Sequence, residues 1–378
     1  MRHKIICGDT LEVLKTLPDE CVDCIVTSPP YWGLRSYLPD DHSDKKKEIG
    51  LEPTLDLYLD HLIEVMQELK RVLKKTGVIF WNHGDCYGGS GAGAWKNPPE
   101  VLNSKENYHL PYESNPRRRS EGRQVKTKCL ALQNFRFIAR CVDELGLILR
   151  NVIIWYKPNH KPESVKDRFT NTYEPVFMLV KNKNYWFDLD TVRVPHKETS
   201  KKRVLRAVSN KHKYSNHPEY GGGGRINKPR PNAKRKVSVT FSDLLDKSKK
   251  YQREQNMAIS QYQYAEGDYL VVNLHPLGAN PGDVWSISHS SFSGMHFATF
   301  PEKLIFPLIK VGSRAGNTIL DPFGGRGTVG IVAEKLGRNS IVIDLNRDYC
   351  EMAYQELKSV VAQTKLFEKP STIERIGF

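Results

Sequence analysis

The sequence predicts an α/β fold, a doubly wound and mostly parallel sheet interrupted by an inserted polar region. Three observations predict it. Short apolar runs alternate with helix-periodic segments at both ends of the chain. A glycine-rich turn follows one of the later strands. A charged, tyrosine-bearing stretch separates the two α/β portions. With 378 residues, 39% of them hydrophobic, the chain can bury a core as one elaborated domain or two.

The elements follow in order. KIICG reads as a strand, LEVLKTL as a short helix and VDCIVT as a strand. LDLYLDHLIEVMQELKRVLK is a long amphipathic helix, and GVIFWN is the next strand, with Gly77 expected where helix hands over to strand. From Tyr87 to about Lys128 the chain turns to Gly, Pro and Asn with a basic run through Arg117, Arg118, Arg119 and Arg123, which reads as a long loop. Order returns with a helix near LQNFRFIARCVDELG and strands at NVIIWYK and EPVFMLVK. Residues 197 to about 267 are the most polar part of the chain, too poor in apolar surface to fold alone, and read as a tether or a basic nucleic-acid-reading insert. The interleaved Tyr214, Tyr220, Tyr251, Tyr262 and Tyr264 favour the insert. After Gly282 come a helix near FPEKLIFPLIKVG, a strand at TILDPF, a helix at TVGIVAEKLG, a strand at SIVIDL and a closing helix at RDYCEMAYQELKSVVAQ. The sequence is thus divided into 1–190, a basic insert over 191–281, and 282–378, with no internal repeat.

The 57 Lys and Arg outnumber 43 Asp and Glu, a net charge of +14 that suits a polyanionic partner, although charge alone fits a merely soluble basic protein equally well. The opening MRHKIICGDT lacks the pattern of a signal peptide, and the apolar runs fall far short of a membrane span. Seven scattered cysteines are not a disulfide framework and point to a reducing, cytoplasmic interior. Cys21 and Cys24 form a CxxC without a second pair or a histidine at zinc spacing, so no metal is expected.

Two motifs carry chemistry. Asn317 to Thr328 (NTILDPFGGRGT) is a strand that breaks into glycines before a helix, where backbone can approach a ligand and the helix N-terminus adds partial positive charge. The following strand ends in Asp344, where nucleotide-binding folds place the carboxylate that grips ribose hydroxyls. A Walker loop is excluded by the missing Gly-Lys-Ser/Thr, and the spacing is not G-x-G-x-x-G. The second motif, Thr27-Ser-Pro-Pro-Tyr31, ends a strand with two prolines, which remove two donors and leave rigid, free carbonyls beside an aromatic face.

Together these motifs resemble those of the amino-methyltransferases of DNA. Ser28-Pro29-Pro30-Tyr31 matches that family's Asp/Asn/Ser-Pro-Pro-Tyr/Phe motif, and Asp321 to Thr328 matches its Asp-Pro-Phe-x-Gly-x-Gly-Thr motif. The motif order is similar to the permuted beta class, and the likeness covers residues 1 to about 85, 130–190 and 282–360. The resemblance implies an S-adenosylmethionine-dependent, Rossmann-like methyltransferase acting on a base flipped out of double-stranded DNA. It implies a catalytic group of Ser28, Pro29, Pro30 and Tyr31. It implies cofactor contacts from Asp9, Thr299, Phe300, Asp321, Pro322, Phe323, Gly325, Gly327, Thr328 and Asp344. Thr299 and Phe300 would line the methionine end, Asp321 would hold its amine, and Cys7-Gly8-Asp9 would meet the adenine. Arg35, Arg117, Arg118, Arg119, Arg225 and Arg230 are the expected DNA contacts, and a companion restriction endonuclease is admitted as a partner.

Plainer readings stand beside these. Asp9 and Asp344 could cap the helices that follow them, and Asp348 and Glu351 suit a helix dipole. Trp81, Trp155 and Trp186 are expected in the core or at its rim, while Trp32 and Trp285 are free to stack on bases. The exocyclic amine is a poor nucleophile because its lone pair is delocalised, so acceptors at the Ser28 hydroxyl and Pro29 carbonyl would localise it. No Pro-Cys pair for carbon-5 methylation occurs. Serine at the first motif position resembles the cytosine N4 branch, preferred here over adenine N6. A non-catalytic nucleic-acid-binding module and an RNA or protein-amide methyltransferase are the competing classes.

Overall fold

The computed structural model describes residues 2–88, 125–160, 162–200, 264–266, 269–271, 275, 277–289, 300–364 and 371–377. Thr299, Arg117, Arg118, Arg119, Arg225 and Arg230 lie outside them, as do the glycine-rich part of the 87–128 loop and most of the polar insert. Two compact units result, Met1–Thr191 with Gly282–Phe378, and Val192–Pro281.

In chain order the elements are β1 (Arg2–Cys7), α1 (Thr10–Thr16), β2 (Val22–Thr27), α2 (Leu55–Val72), β3 (Leu73–Asn82), α3 (Gln133–Asp143), β4 (Ile148–Tyr156) and β5 (Tyr173–Val180). There follow β6 (Tyr264–Glu266), β7 (Tyr269–Val271), β8 (Val284–Ser286), α4 (Glu302–Gly312), β9 (Thr318–Asp321), α5 (Thr328–Lys335), β10 (Asn339–Asp344), α6 (Arg347–Thr364) and β11 (Thr372–Ile376). In the second unit, β6 and β7 form an antiparallel pair with Tyr264 opposite Val271.

The first unit holds a nine-stranded sheet in the order β11-β1-β10-β9-β2-β3-β5-β4-β8. It is parallel except that β5 runs against both β3 and β4. Alternate residues of each strand face opposite sides. Ile6, Ile25, Ile79, Leu320 and Ile343 join α1, α2 and α3 in one core. Ile5 and Val342 pack with Cys350, Ala353, Leu357 and Val361 of α6 on the other. Helices on both faces meet the expectation of a doubly wound, mostly parallel sheet. Helix α2 forms because Leu55, Leu59, Leu62, Met66 and Leu69 recur at helical spacing and are buried, while the Thr54 side chain accepts the Leu57 N–H at its start.

The helix-to-strand boundary differs from the sequence expectation. α2 ends at Val72 and β3 begins at once with Leu73, so Gly77 lies inside the strand. A Cβ there would stand 2.9 Å from the Asp23 carbonyl, where the β2–β3 register shifts. β4 starts at Ile148, before the expected NVIIWYK. Strand β11, parallel to β1 at the sheet edge, was not anticipated, because an edge strand exposed along most of its length carries little apolar alternation. Among the described residues no helix is long and apolar enough to cross a membrane.

Leu62 is fully buried at the centre of the larger core. Leu62→Ala should lower unfolding free energy by about 2–5 kcal/mol, read from the midpoint of urea denaturation.

Candidate active site

The parallel strands β2, β3, β9 and β10 all end on one edge of the sheet. The reversed strand β5 begins there, with Asn82 opposite Val176 and Trp155 opposite Glu174. Residues 294 positions apart therefore become neighbours: β2 pairs with β9, and the Thr27 hydroxyl donates to Asp321 Oδ1 at 2.7 Å.

Asp321 is 1% exposed. Its Oδ1 also accepts the Phe323 N–H at 3.2 Å, whereas Oδ2 is buried and has no partner among the described residues. Burial pushes this carboxyl up to about 7, with nearby Asp344 adding to the effect. An acceptor oxygen stranded in this way suits a cationic donor. Asp344, pushed up to about 6 by burial, accepts the Gly325 N–H on Oδ2 and the Asn346 N–H on Oδ1, both at 2.8 Å. It therefore pins the glycine loop and is not the cap of α6. That role falls to Asn346, whose side chain accepts the Asp348 and Tyr349 N–H groups.

The loop itself needs glycine. Gly325 and Gly327 have φ of +49° and +77°. A Cβ on Gly324 would stand 2.1 Å from the Val342 side chain. The Pro322 carbonyl accepts the Thr10 hydroxyl at 2.7 Å, and Thr328 opens α5. Asp9 caps α1 by accepting the Glu12 N–H, the plainer of its two readings, and also lines a cavity with Ser28, Phe323, Gly325 and Asp344. Arg35, expected to meet DNA, lines the same cavity. Phe300 is half-buried just ahead of α4 and is not among the lining residues.

The Ser28–Tyr31 tetrapeptide follows directly from β2 and borders this cavity through Ser28 and Pro30. A buried chain of hydrogen bonds supports it. Trp81 Nε1 donates to His83 Nδ1 at 3.3 Å, which leaves the ring proton on Nε2 to donate to the Tyr58 oxygen at 3.1 Å. Tyr58 in turn donates to the Pro30 carbonyl at 2.7 Å. Burial drives His83 down to about 3, so it stays neutral and this tautomer persists. The Pro30 carbonyl is thus occupied, and the Pro29 carbonyl has no partner among the described residues. The Tyr31 ring lies 5.3 Å from His83 and packs against Gly84, where a Cβ would stand 2.8 Å from the ring. Its hydroxyl donates to Glu174 Oε2 at 3.1 Å, and burial with that neighbouring carboxylate holds its pKa well above the usual range.

The sequence therefore located both motifs, and the fold brings them to one cavity. It missed Tyr58, His83, Asn82, Lys157 and Glu174, which reach the site only through strand pairing and α2 packing and follow no motif spacing. Trp32 is buried, donating to the Glu52 carbonyl, and is unavailable for stacking. Trp81 and Trp155 are core residues, and Trp186 stacks under Arg314 at 3.8 Å.

The sequence pattern of the DNA methylase family matches residues 22–355. The type II methyltransferase M.Cfr9I of Citrobacter freundii is 32% identical over 356 residues, covering 93% of this chain and 86% of its own. The type II methyltransferase M.SfiI of Streptomyces fimbriatus is 30% identical over 397 residues, covering 90% and 88%. Among solved structures, PvuII DNA methyltransferase (cytosine-N4-specific) aligns over 99% of this chain and 95% of its own at a TM-score of 0.53 and 16% identity, a likeness of fold.

Because the folded-state pKa of Asp321 is raised to about 7, protonation favours the fold, and that contribution is lost as pH rises from the unfolded value of 3.8 through 7. Asp321→Asn should melt at a higher temperature than the parent at pH 8, with the gap closing towards pH 4. Parallel pH-melting curves check this.

Proposed function

Because the chain belongs to the DNA methylase family, we propose that it transfers a methyl group from S-adenosylmethionine to the exocyclic amine of a base flipped out of double-stranded DNA, cytosine N4 in preference to adenine N6. The observation that carries this reading is the Thr27–Asp321 hydrogen bond, which joins the proline platform to a buried carboxylate whose other oxygen has no partner among the described residues.

The residues present fit the cofactor. Asp321 Oδ2 is an acceptor suited to the methionine ammonium. Asp344 is assigned to the ribose hydroxyls, Asp9, Pro322, Phe323, Gly325, Gly327 and Thr328 to the rest of the cofactor, and Thr299 and Phe300 to the methionine end; of these Asp9, Phe323, Gly325 and Asp344 line the cavity. When bound, the cofactor supplies an electrophilic methyl group on a sulfonium.

The chain's own residues do the rest. Ser28 Oγ and the Pro29 carbonyl accept the two N–H groups of the target amine and draw its lone pair out of conjugation. The Pro30 carbonyl, held by Tyr58, keeps the platform rigid. The Tyr31 ring offers its face to the extruded base. Alignment of donor and amine reduces the entropic part of the barrier. The net charge of +14 favours the polyanionic substrate, with Arg117, Arg118, Arg119, Arg225 and Arg230 assigned to phosphates. Arg35, which borders the cavity, is assigned to the strand near the extruded base. Serine at position 28 supports N4, and a companion restriction endonuclease and a cytoplasmic, nucleoid-associated location belong to the same proposal.

Nucleoside mass spectrometry after incubating the protein with DNA and S-adenosylmethionine should yield N4-methylcytosine. N6-methyladenine would move the assignment to the second base, and unmodified nucleosides would refute the activity. Ser28→Ala and Tyr31→Ala should abolish transfer with cofactor binding retained. Asp321→Ala should weaken cofactor binding about 10–100-fold, the worth of one hydrogen bond to a charged group, by calorimetry.

A further inference from the structure

Taking a base out of a duplex leaves a gap in the stack, and the extruded state is favoured when something fills that gap. We propose that Phe169 is the apolar wedge that enters the DNA stack in place of the extruded base. This rests on the extrusion assigned above, since a base that stays in the helix leaves nothing to fill.

The ring is 97% exposed, whereas no other large apolar side chain among the described residues exceeds 64%. Exposure alone is common for single surface residues. What sets Phe169 apart is its place and its support. It lies in the loop of residues 157–172, between β4 and β5, and β5 starts on the edge where β2, β3, β9 and β10 end. That edge carries the proline platform. The Lys157 N–H donates to the Thr172 carbonyl at 2.8 Å and closes the neck of the loop. Just beyond the neck, Glu174 pairs with Lys157 and accepts the Tyr31 hydroxyl at 3.1 Å. The loop is therefore rooted on the ring assigned to the extruded base. Phe169 itself is braced as well. Arg168 Nη1 donates to the Phe169 carbonyl at 2.9 Å and to Glu163 Oε2 at 2.7 Å, and its guanidinium lies over the Tyr87 ring at 4.3 Å. Glu163 Oε2 also accepts the Asn171 N–H at 3.5 Å, and Asp167 accepts from Lys128 at 2.6 Å. The backbone on both sides of Phe169 is held while its side chain stays in water. A ring presented in this way loses little freedom when it meets a partner. Nearby chemistry names that partner: a flat apolar ring suits the interval between bases, and the exposed Lys166, three residues earlier, suits a flanking phosphate.

Radiolabel transfer from S-adenosylmethionine, measured on two duplexes that differ only at the target, tests the wedge. Both carry the sequence that the parent protein methylates, located by sequencing modified plasmid DNA; one pairs the target base normally and the other mispairs it. Phe169→Ala should lower kcat/KM on the paired duplex roughly tenfold, on the order of one base stacked on an aromatic ring. On the mispaired duplex, where pairing resists extrusion less, the loss should shrink to within about threefold. Phe169→Leu keeps an apolar wedge and should stay within about threefold of the parent on the paired duplex. Affinity for S-adenosylmethionine alone should be unchanged in calorimetry. Each ratio between duplexes is read from one preparation, so any unfolded fraction cancels. Full activity of Phe169→Ala on the paired duplex would overturn the proposal, as would a leucine variant as poor as the alanine one. Equal losses on the two duplexes would overturn it too, since they mark an ordinary DNA contact. A parent protein that modifies no DNA removes the methyl transfer itself and the wedge with it; a parent that methylates while Phe169→Ala keeps pace removes only the wedge.

Discussion

The hydrogen bond from Thr27 to Asp321 is the constraint on which the site depends. It forms because β2 and β9 are parallel neighbours, so both strands end on the same edge, and the segments that leave them face one cavity. The bond satisfies one oxygen of Asp321 and leaves the other buried, with no partner among the described residues. An orphaned acceptor of that kind costs roughly 1–3 kcal/mol, a stability sacrifice that a bound cation would offset. The fold thus keeps a high-energy carboxyl beside the proline platform, and the raised pKa is the electrostatic expression of the same burial.

Rigidity on the platform side has a different origin. Two prolines restrict the backbone, and a neutral buried histidine passes a fixed hydrogen-bond direction from Trp81 through Tyr58 to the Pro30 carbonyl. Glu174, Lys157 and Asn82 impose direction on Tyr31 from the opposite side. The second network exists because β5 runs against its neighbours and so brings the start of one strand to the edge where they end. A wholly parallel sheet would have put Glu174 at the far edge.

Much of this was legible in the sequence. Alternating strand and helix patterns gave the parallel sheet, the two motifs carried Ser28, Tyr31 and Asp321, because each needs contiguous residues of defined type, and Asp344 stood out as the acid that ends the next strand. The plainer role of Asp9 as a cap was legible too. Lys157 and Glu174 were not, since neither has a local signature and their meeting depends on the β4–β5 register. Nor was the cap at Asn346, which competes with a more conspicuous aspartate two residues earlier. Gly77 misled because glycine commonly ends helices, whereas here it relieves a close approach inside a strand.

The most direct measurement is a crystal structure of the protein with S-adenosylhomocysteine. The ligand's amino group should lie about 3 Å from Asp321 Oδ2, with its sulfur facing the Ser28 side chain across the cavity. A ligand whose amine pairs elsewhere, or whose sulfur faces away from Ser28, would contradict this arrangement.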